Sequence, residues 1–436
     1  MNVEEQLALL RQKVALINER FQNGVPRTPE SPVEEVRDPE DARVEQAPQR
    51  FDDVRPARYF VEDLISGQVM RTDTGEHFET EKLYERHRRH GSMDISTLQE
   101  LPADLLDALS ESAIPCSPPE KWAFLDTETT GLAGGAGTYA FLIGVGSIDA
   151  AGFRVRQFFM RDFGEEASLL TALTEHLSRF DVLITYNGKA YDQPLLETRY
   201  RMARMKPPFE RMTHLDLLYG ARRLWKLRLE SCRLVTLENR ILGVERQGDV
   251  PGELIPYFYF DYLRTRQAFR LVPVFHHNVI DIVSLACLTG LVPYAFRSPE
   301  SIQVHHGADL IGIARWLLEA EKTEEALGLY RRAVEVGLPD AVLFRTLWDI
   351  AQIEKKLGRL EAALGVWSDL SANRNPFRVQ ALEELAKHYE HRERNDAMAL
   401  EMTRAAIELE ETPELKRREQ RLRQRMEKRR NRLPGC

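Results

Sequence analysis

A chain of 436 residues is too long for one ordinary domain and is expected to divide into about three units. Apolar content of 43% supplies an ample core, and a formal net charge of −8 carries no global signature of a nucleic-acid partner, which leaves that question to local patches. Cys116, Cys232, Cys287 and Cys436 have neither C-x-x-C spacing nor close pairing, which excludes a disulfide framework and a cysteine zinc site. The N-terminus is charged from Glu4 onward and no run reaches membrane-spanning length, so the sequence reads as soluble and cytoplasmic, with no membrane partner.

Residues 1–22 place Val3, Leu7, Leu10, Val14 and Ile17 at three- and four-residue steps, the pattern of an amphipathic helix docked on its own domain or on a partner. Residues 23–56 turn to Pro, Glu, Asp and Arg, a composition that buries too little apolar surface to order itself and reads as a disordered linker. Residues 57–118 regain aromatics, with turns at Gly67 and at Thr74–Gly75; they predict a small α+β extension, a strand pair followed by a helix around Ala103–Ser110.

Residues 119–298 predict an organised α/β domain. Strands are expected at Trp122–Leu125, Tyr139–Ser147 and Phe153–Met160, a helix at Glu165–Phe180, a strand at Val182–Tyr186, and a further helix carrying Leu195, Leu196 and Tyr200. This order describes a mixed sheet flanked by helices, with a hairpin-connected antiparallel half. Residues 305–412 are helical throughout. Ala326-Leu-Gly-Leu-Tyr330, Ala363-Leu-Gly-Val-Trp367 and Ala399-Leu-Glu-Met402 superpose, each preceded by a small residue, Ala314, Ala351 or Ala386. The step is near that of a tetratricopeptide repeat, roughly 34 residues, and this repeat reading is preferred to a generic helical bundle. Residues 413–436 form a basic tail including Arg421, Arg425 and Arg429, either a solvated face or a phosphate-backbone contact.

The chemistry centres on Phe124–Leu132, F-L-D-T-E-T-T-G-L. Alternation on a strand turns Asp126 and Glu128 to one face and Thr127 to the other. Two anions side by side repel and lose hydration, so the pair calls for a divalent cation. Two further acids stand in apolar surroundings: Asp192, after Tyr186-Asn-Gly-Lys-Ala-Tyr191, and Asp281, in Val279-Ile-Asp-Ile-Val-Ser-Leu285, where a lone carboxylate costs several kcal/mol. Each acid has a plainer explanation as a strand-edge charge or a helix cap. His276 and His277 are candidate general bases. Asp216 is a fifth acid whose expected role is a cap, and Arg222, Arg223, Lys226 and Arg228 around Trp225 suit either a strand groove with a stacking ring or a solvated helix.

The D-x-E-T-T-G-L, Y-N-G-x-x-Y-D and H-N-x-x-D blocks resemble the three motifs of the DEDD exonuclease superfamily, whose domain has a ribonuclease H-like fold. Leu229-Glu-Ser-Cys-Arg-Leu234, Leu237-Glu-Asn-Arg-Ile-Leu-Gly243, Gly248-Asp-Val-Pro-Gly252 and Ile255-Pro256 resemble its YprB branch, the mitomycin repair factor B family, which joins that domain to C-terminal tetratricopeptide repeats. The resemblance spans residues 59–410 and implies a 3′ to 5′ exonuclease using two Mg²⁺ or Mn²⁺ ions about 4 Å apart. It favours DNA over RNA and implies a repair role beside a partner helicase recruited through the repeats.

By motif position, Asp126, Glu128 and Asp281 would hold the nucleophile-side metal, with Asp126 and Asp192 holding the second. The H-N-x-x-D spacing selects His277 as base, with His276 as the alternative. Thr129, Thr130, Gly131, Leu132, Asn187 and Tyr191 would contact the terminal nucleotide, and the loop through Gly134, Gly135 and Gly137 would let it approach the backbone. The rival from another class is a scaffold that kept the fold, lost catalysis and acts through its repeats.

Overall fold

The computed structural model describes residues 59–109, 114–131, 137–299 and 306–430. The expected helix over 1–22, the linker over 23–56 and the loop residues Leu132, Gly134 and Gly135 lie outside these. The described residues divide into two compact units, 59–299 and 306–430.

The first unit is built on seven strands: β1 (Gln68–Thr72), β2 (Gly75–Glu85), β3 (Trp122–Thr129), β4 (Ala140–Asp149), β5 (Gly152–Phe159), β6 (Val182–Thr185) and β7 (Thr213–Asp216). Their order across the sheet is β1-β2-β5-β4-β3-β6-β7; β1 through β3 pair antiparallel, and β3, β6 and β7 run parallel. The mixed sheet matches the order read from sequence, with one correction. The segment before residue 118 is not a separate extension, because β2 pairs with β5 from Phe78↔Phe159 to Glu85↔Gly152 and so continues the same sheet. A 3₁₀ turn over Leu105–Leu109 replaces the helix expected there. Helices α1 (Glu166–Leu177), α2 (Asp192–Met202), α3 (Leu217–Trp225), α4 (Ile255–Thr265) and α5 (Val272–Arg297) complete the unit.

Helix α5 is apolar over most of its length, with the polar His276, His277, Asn278 and Asp281 near its start, and most of it is buried. Contrary to the sequence expectation, one stretch, Ala268–Arg297, is long and apolar enough to cross a membrane by length and composition. In the fold 78% of its most apolar window is buried, so it serves as the core helix.

The second unit is all helical: α6 (Gly307–Glu319), α7 (Thr323–Val336), α8 (Asp340–Lys356), α9 (Leu360–Ala372), α10 (Arg378–His391), α11 (Asp396–Leu409) and α12 (Pro413–Arg430). Consecutive helices pair as hairpins whose second members begin at Thr323, Leu360 and Asp396, a step of about 36 residues. The repeated alanines Ala314, Ala326, Ala351, Ala363, Ala386 and Ala399 are all fully buried, as expected where small side chains let helices cross closely. The basic stretch is helical as far as Arg430, with its apolar side packed and its arginines half-exposed. Leu415 and Leu422 of α12 are buried, and Arg421 and Arg425 converge on the buried Glu390 at 2.8 and 3.0 Å, while Arg429 pairs with Asp396. Much of its charge is thus matched within the chain.

What positions the site is the approach of α5 to β4. A Cβ on Gly144 would stand 2.2 Å from Asn278 Oδ1 and from Ile282 Cδ1, and one on Gly146 would meet Ile282 and Phe153. Only hydrogen fits there. Gly144→Ala is expected to cost about 1–3 kcal/mol through overpacking, lowering the melting temperature by several degrees, whereas Gly137→Ala, where an added Cβ meets nothing within 4 Å, leaves it unchanged. Thermal unfolding followed by circular dichroism checks both.

Candidate active site

Strand β3 runs through the centre of the sheet with both faces covered, which explains its continuous apolar run. Asp126 lies opposite Gly144 and Glu128 opposite Leu142, with the register shifting between Glu128 and Thr129, so the two acids share the face on which α5 packs. Asp126 is held from that helix: Asn278 Nδ2 donates to its Oδ2 at 2.8 Å. The orientation of the Asn278 amide follows from its other side. Gln157 Nε2 donates to Asn278 Oδ1 at 2.8 Å, and Thr80 Oγ1 donates to Gln157 Oε1 at 2.9 Å, which leaves Nδ2 as the donor toward the acid. A hydrogen-bonded relay therefore runs from β2, across β5, to Asp126.

Asp192 opens α2, and Thr127 Oγ1, on the other face of β3, donates to its Oδ1 at 2.5 Å. The turn before it needs a left-handed residue, which Asn187 supplies at φ 69°. Asp216 caps α3 through Leu218 N and also accepts from Asn187 N at 2.8 Å and Lys189 N at 3.1 Å, so the fifth acid braces this turn. Tyr191 Oη donates to the Gly131 carbonyl at 2.5 Å and lies 3.2 Å from Thr129 Oγ1; Thr130 Oγ1 accepts from Tyr139 N. Thr129, Gly131 and Tyr191 are thus tied together beside the acids, Asn187 is exposed on the adjacent turn, and Leu132 is not described. Trp225 is 7% exposed, which removes the stacking ring suggested by sequence. Arg222 and Lys226 line a cavity of about 400 Å³ with Tyr186 and Asn187.

Asp281 and His277 stand one turn apart on α5. His277 Nδ1 lies 2.7 Å from Asp249 Oδ1, and its Nε2 lies 3.7 Å from Asp281 Oδ2. His276 is on the exposed side of the helix, so only His277 joins the acids. Arg246 joins three carboxylates: Glu238 at 2.5 and 2.6 Å, Asp249 at 3.0 Å, and Asp281. Sequence reasoning missed Thr127, Asn278, Glu238, Arg246 and Asp249. The available signals were that Thr127 and Asn278 fall inside the D-x-E and H-N-x-x-D blocks, and Glu238 and Asp249 inside the segments resembling the YprB branch.

Burial and neighbouring acids raise all four motif carboxyls. Burial first, then the charges of Asp281 and Asp192, push the Asp126 carboxyl well above the carboxylate range, against the Asn278 hydrogen bond. Burial and then Asp126 do the same to Glu128. Asp192 is pushed up to about 6 by burial, opposed by Thr127; Asp281 is raised by burial against the pull of Arg246 and His277. Such a cluster is relieved by positive charge, and its donors are all carboxylate oxygens, the set that hard divalent ions take. The fit is one of chemistry rather than of closed geometry. Among the described residues no three His, Cys, Asp or Glu side chains are grouped as a metal clasp, and one oxygen of Asp281 is engaged by Arg246.

Residues 123–292 match the family model of the RNase H superfamily, so the first unit is a nuclease-like domain of that superfamily. Over 337 residues, 74% of this chain and 78% of its relative, the sequence is 33% identical to the uncharacterized protein YprB of Bacillus subtilis (strain 168), and the chain belongs to the YprB family.

Because burial of the charged Asp192 carboxylate opposes folding, with Asp216 and Asp281 adding repulsion, Asp192→Asn in EDTA at pH 7.5 is expected to raise the melting temperature by a few degrees, equivalent to about 1 kcal/mol. The sign follows from a native carboxyl raised to about 6: the penalty is complete above that pH and fades as pH falls toward the unfolded value. The gain should therefore shrink between pH 6 and pH 4. Mn²⁺ should reverse the order by stabilising only the unsubstituted protein. Calorimetry across this range decides; a substitution that destabilises at every pH in EDTA rejects the penalty on the charged Asp192 carboxylate.

Proposed function

We propose that this protein is a metal-dependent 3′ to 5′ exonuclease that hydrolyses DNA phosphodiesters. The single observation carrying the reading is that Asp126, Glu128, Asp192 and Asp281, supplied by a strand and two helices distant in sequence, are brought together beside β3, where burial and the charges of Asp281 and Asp192 raise the Asp126 and Glu128 carboxyls. Asp126, Glu128 and Asp281 would hold one Mg²⁺ or Mn²⁺ ion, and Asp126 with Asp192 a second. Bound there, such ions stabilise the attacking and leaving oxygens of an in-line displacement. His277 would accept the water proton, and Thr129, Thr130, Gly131, Leu132, Asn187 and Tyr191 would border the terminal nucleotide.

Polarity, the preference for DNA and a repair role beside a helicase rest on the likeness of the three motif blocks to DEDD exonucleases. The repeated helical hairpins are the surface through which a protein partner would recruit the nuclease. One observation favours a second reading, a scaffold without catalysis: Arg246 already supplies a cation to Asp281.

The purified protein with Mg²⁺ or Mn²⁺ should shorten 5′-labelled DNA stepwise from its 3′ end, and Asp126→Ala should lower the rate about a thousandfold or more. Equal rates for both proteins, or none for either, reject the exonuclease. Parallel RNA substrates decide between DNA and RNA trimming. Titration calorimetry with Mn²⁺ then decides for the scaffold if no heat depends on Asp126 and Asp192.

A further inference from the structure

The stretch from Glu238 to Asp249 lies outside the three motif blocks, yet it delivers a buried charge network to them. A short helix over Leu234–Leu237 continues as a single π turn over Glu238–Leu242 and stops at Gly243, in the left-handed conformation at φ 68°. Single π turns of this kind recur where a side chain must be re-aimed at a site. Glu238 is fully buried and grips the Arg246 guanidinium with both oxygens, which fixes the fork against the protein interior. A second left-handed glycine, Gly248 at φ 69°, turns Asp249 back onto that fork.

We propose that Asp249, clamped by Arg246, is a positioning residue that holds His277 in the tautomer with its proton on Nδ1 and its lone pair on Nε2, facing the acid cluster. A carboxylate can only accept, so the 2.7 Å contact from Asp249 Oδ1 requires the proton on His277 Nδ1. The competing arrangement is Arg246 Nη1 donating to the same nitrogen. It is longer, at 3.2 Å, and that Nη1 is already 3.0 Å from Asp249 Oδ2. In the neutral imidazole Nε2 then carries the lone pair. It lies 3.7 Å from Asp281 Oδ2, too far for a direct hydrogen bond.

The inference rests on the hydrolase reading for its consequence but not for its geometry. In hydrolysis, water forms a bond to phosphorus as the P–O3′ bond breaks, and the water proton passes to Nε2 while O3′ takes a proton from solvent. The imidazolium so formed faces Asp249 on one side and Asp281 on the other. An orienting carboxylate of this kind makes the base ready before substrate arrives. Nothing in the spacing of Asp249 from His277 announces the pair, since it is made across 28 residues.

The full-length protein, labelled with ¹⁵N at its histidine rings, should show His277, assigned by its absence in His277→Gln, as the tautomer with Nδ1 protonated. Asp249→Asn should lose that tautomer preference and lower kcat by about 10- to 100-fold, with KM changed less than about twofold, while unfolding at the same temperature to within a few degrees. A bare Nδ1 in the unsubstituted protein overturns the proposal. So does a kcat within twofold for Asp249→Asn. If Asp249→Asn fails to fold, the tautomer of the unsubstituted protein decides alone. If the unsubstituted protein cleaves nothing, the hydrolase reading fails, and the same spectrum still accepts or rejects the Asp249–His277 pair.

Discussion

Negative charge gathered at one end of β3 is the constraint on which the first unit depends. Four carboxylates in a poorly hydrated site oppose one another, and three of them are tethered by a specific neighbour: Asp126 by Asn278, Asp192 by Thr127 and Asp281 by Arg246. Glu128 is the most exposed to this strain. Its carboxyl is raised by every other acid of the group, and Asp249 adds to the list. The fold holds the cluster because its supports are themselves held. Asn278 is oriented by Gln157, and Gln157 by Thr80, so strand β2, separated from β3 by β5 and β4, contributes to a site that it never reaches.

Helix α5 explains why the arrangement is rigid. It is apolar over most of its length, and it presses on β4 where Gly144 and Gly146 offer no side chains, burying Ile282 and Val283 in the process. That contact is non-directional and strong, whereas the hydrogen bonds it brings to Asp126 are directional and individually modest. Burial sets the distance between helix and sheet, and the polar groups then find their partners within it. Asp281 and His277 ride on the same helix, so one packing interface places Asn278, His277 and Asp281 together.

Much of this was legible in the sequence, and what was not has physical reasons. The alternation around Asp126 and Glu128 announced one face of a strand, and the long apolar run around Asp281 announced a buried helix, because both signals are local and periodic. The pairing of β2 with β5 was hidden, since its partners, from Phe78↔Phe159 to Glu85↔Gly152, are far apart in the chain and pairing leaves no local trace. Trp225 was ambiguous because a ring flanked by arginines reads alike whether it faces solvent or core. The basic run near the C-terminus was ambiguous for a related reason: the acid that answers Arg421 and Arg425 is Glu390, some thirty residues earlier and on another helix. Charge counted along a sequence cannot register such a match.

Arg246 shows how a buried ion pair acts on geometry more than on stability. Removing guanidinium and carboxylates from water costs about as much as their attraction returns, so the network of Glu238, Arg246, Asp249 and Asp281 is not there chiefly to hold the fold together. Its value lies in direction. A lysine in the same place would offer a point charge and no fixed fork, and could not bind Glu238 with two donors while directing others to Asp249 and Asp281. Arg246 is also an electrostatic necessity: without it, Glu238 and Asp249 would add two more anions beside a cluster that already repels itself. The segment that resembles the YprB branch is therefore a working wall of the site, joined to the last motif by one cation.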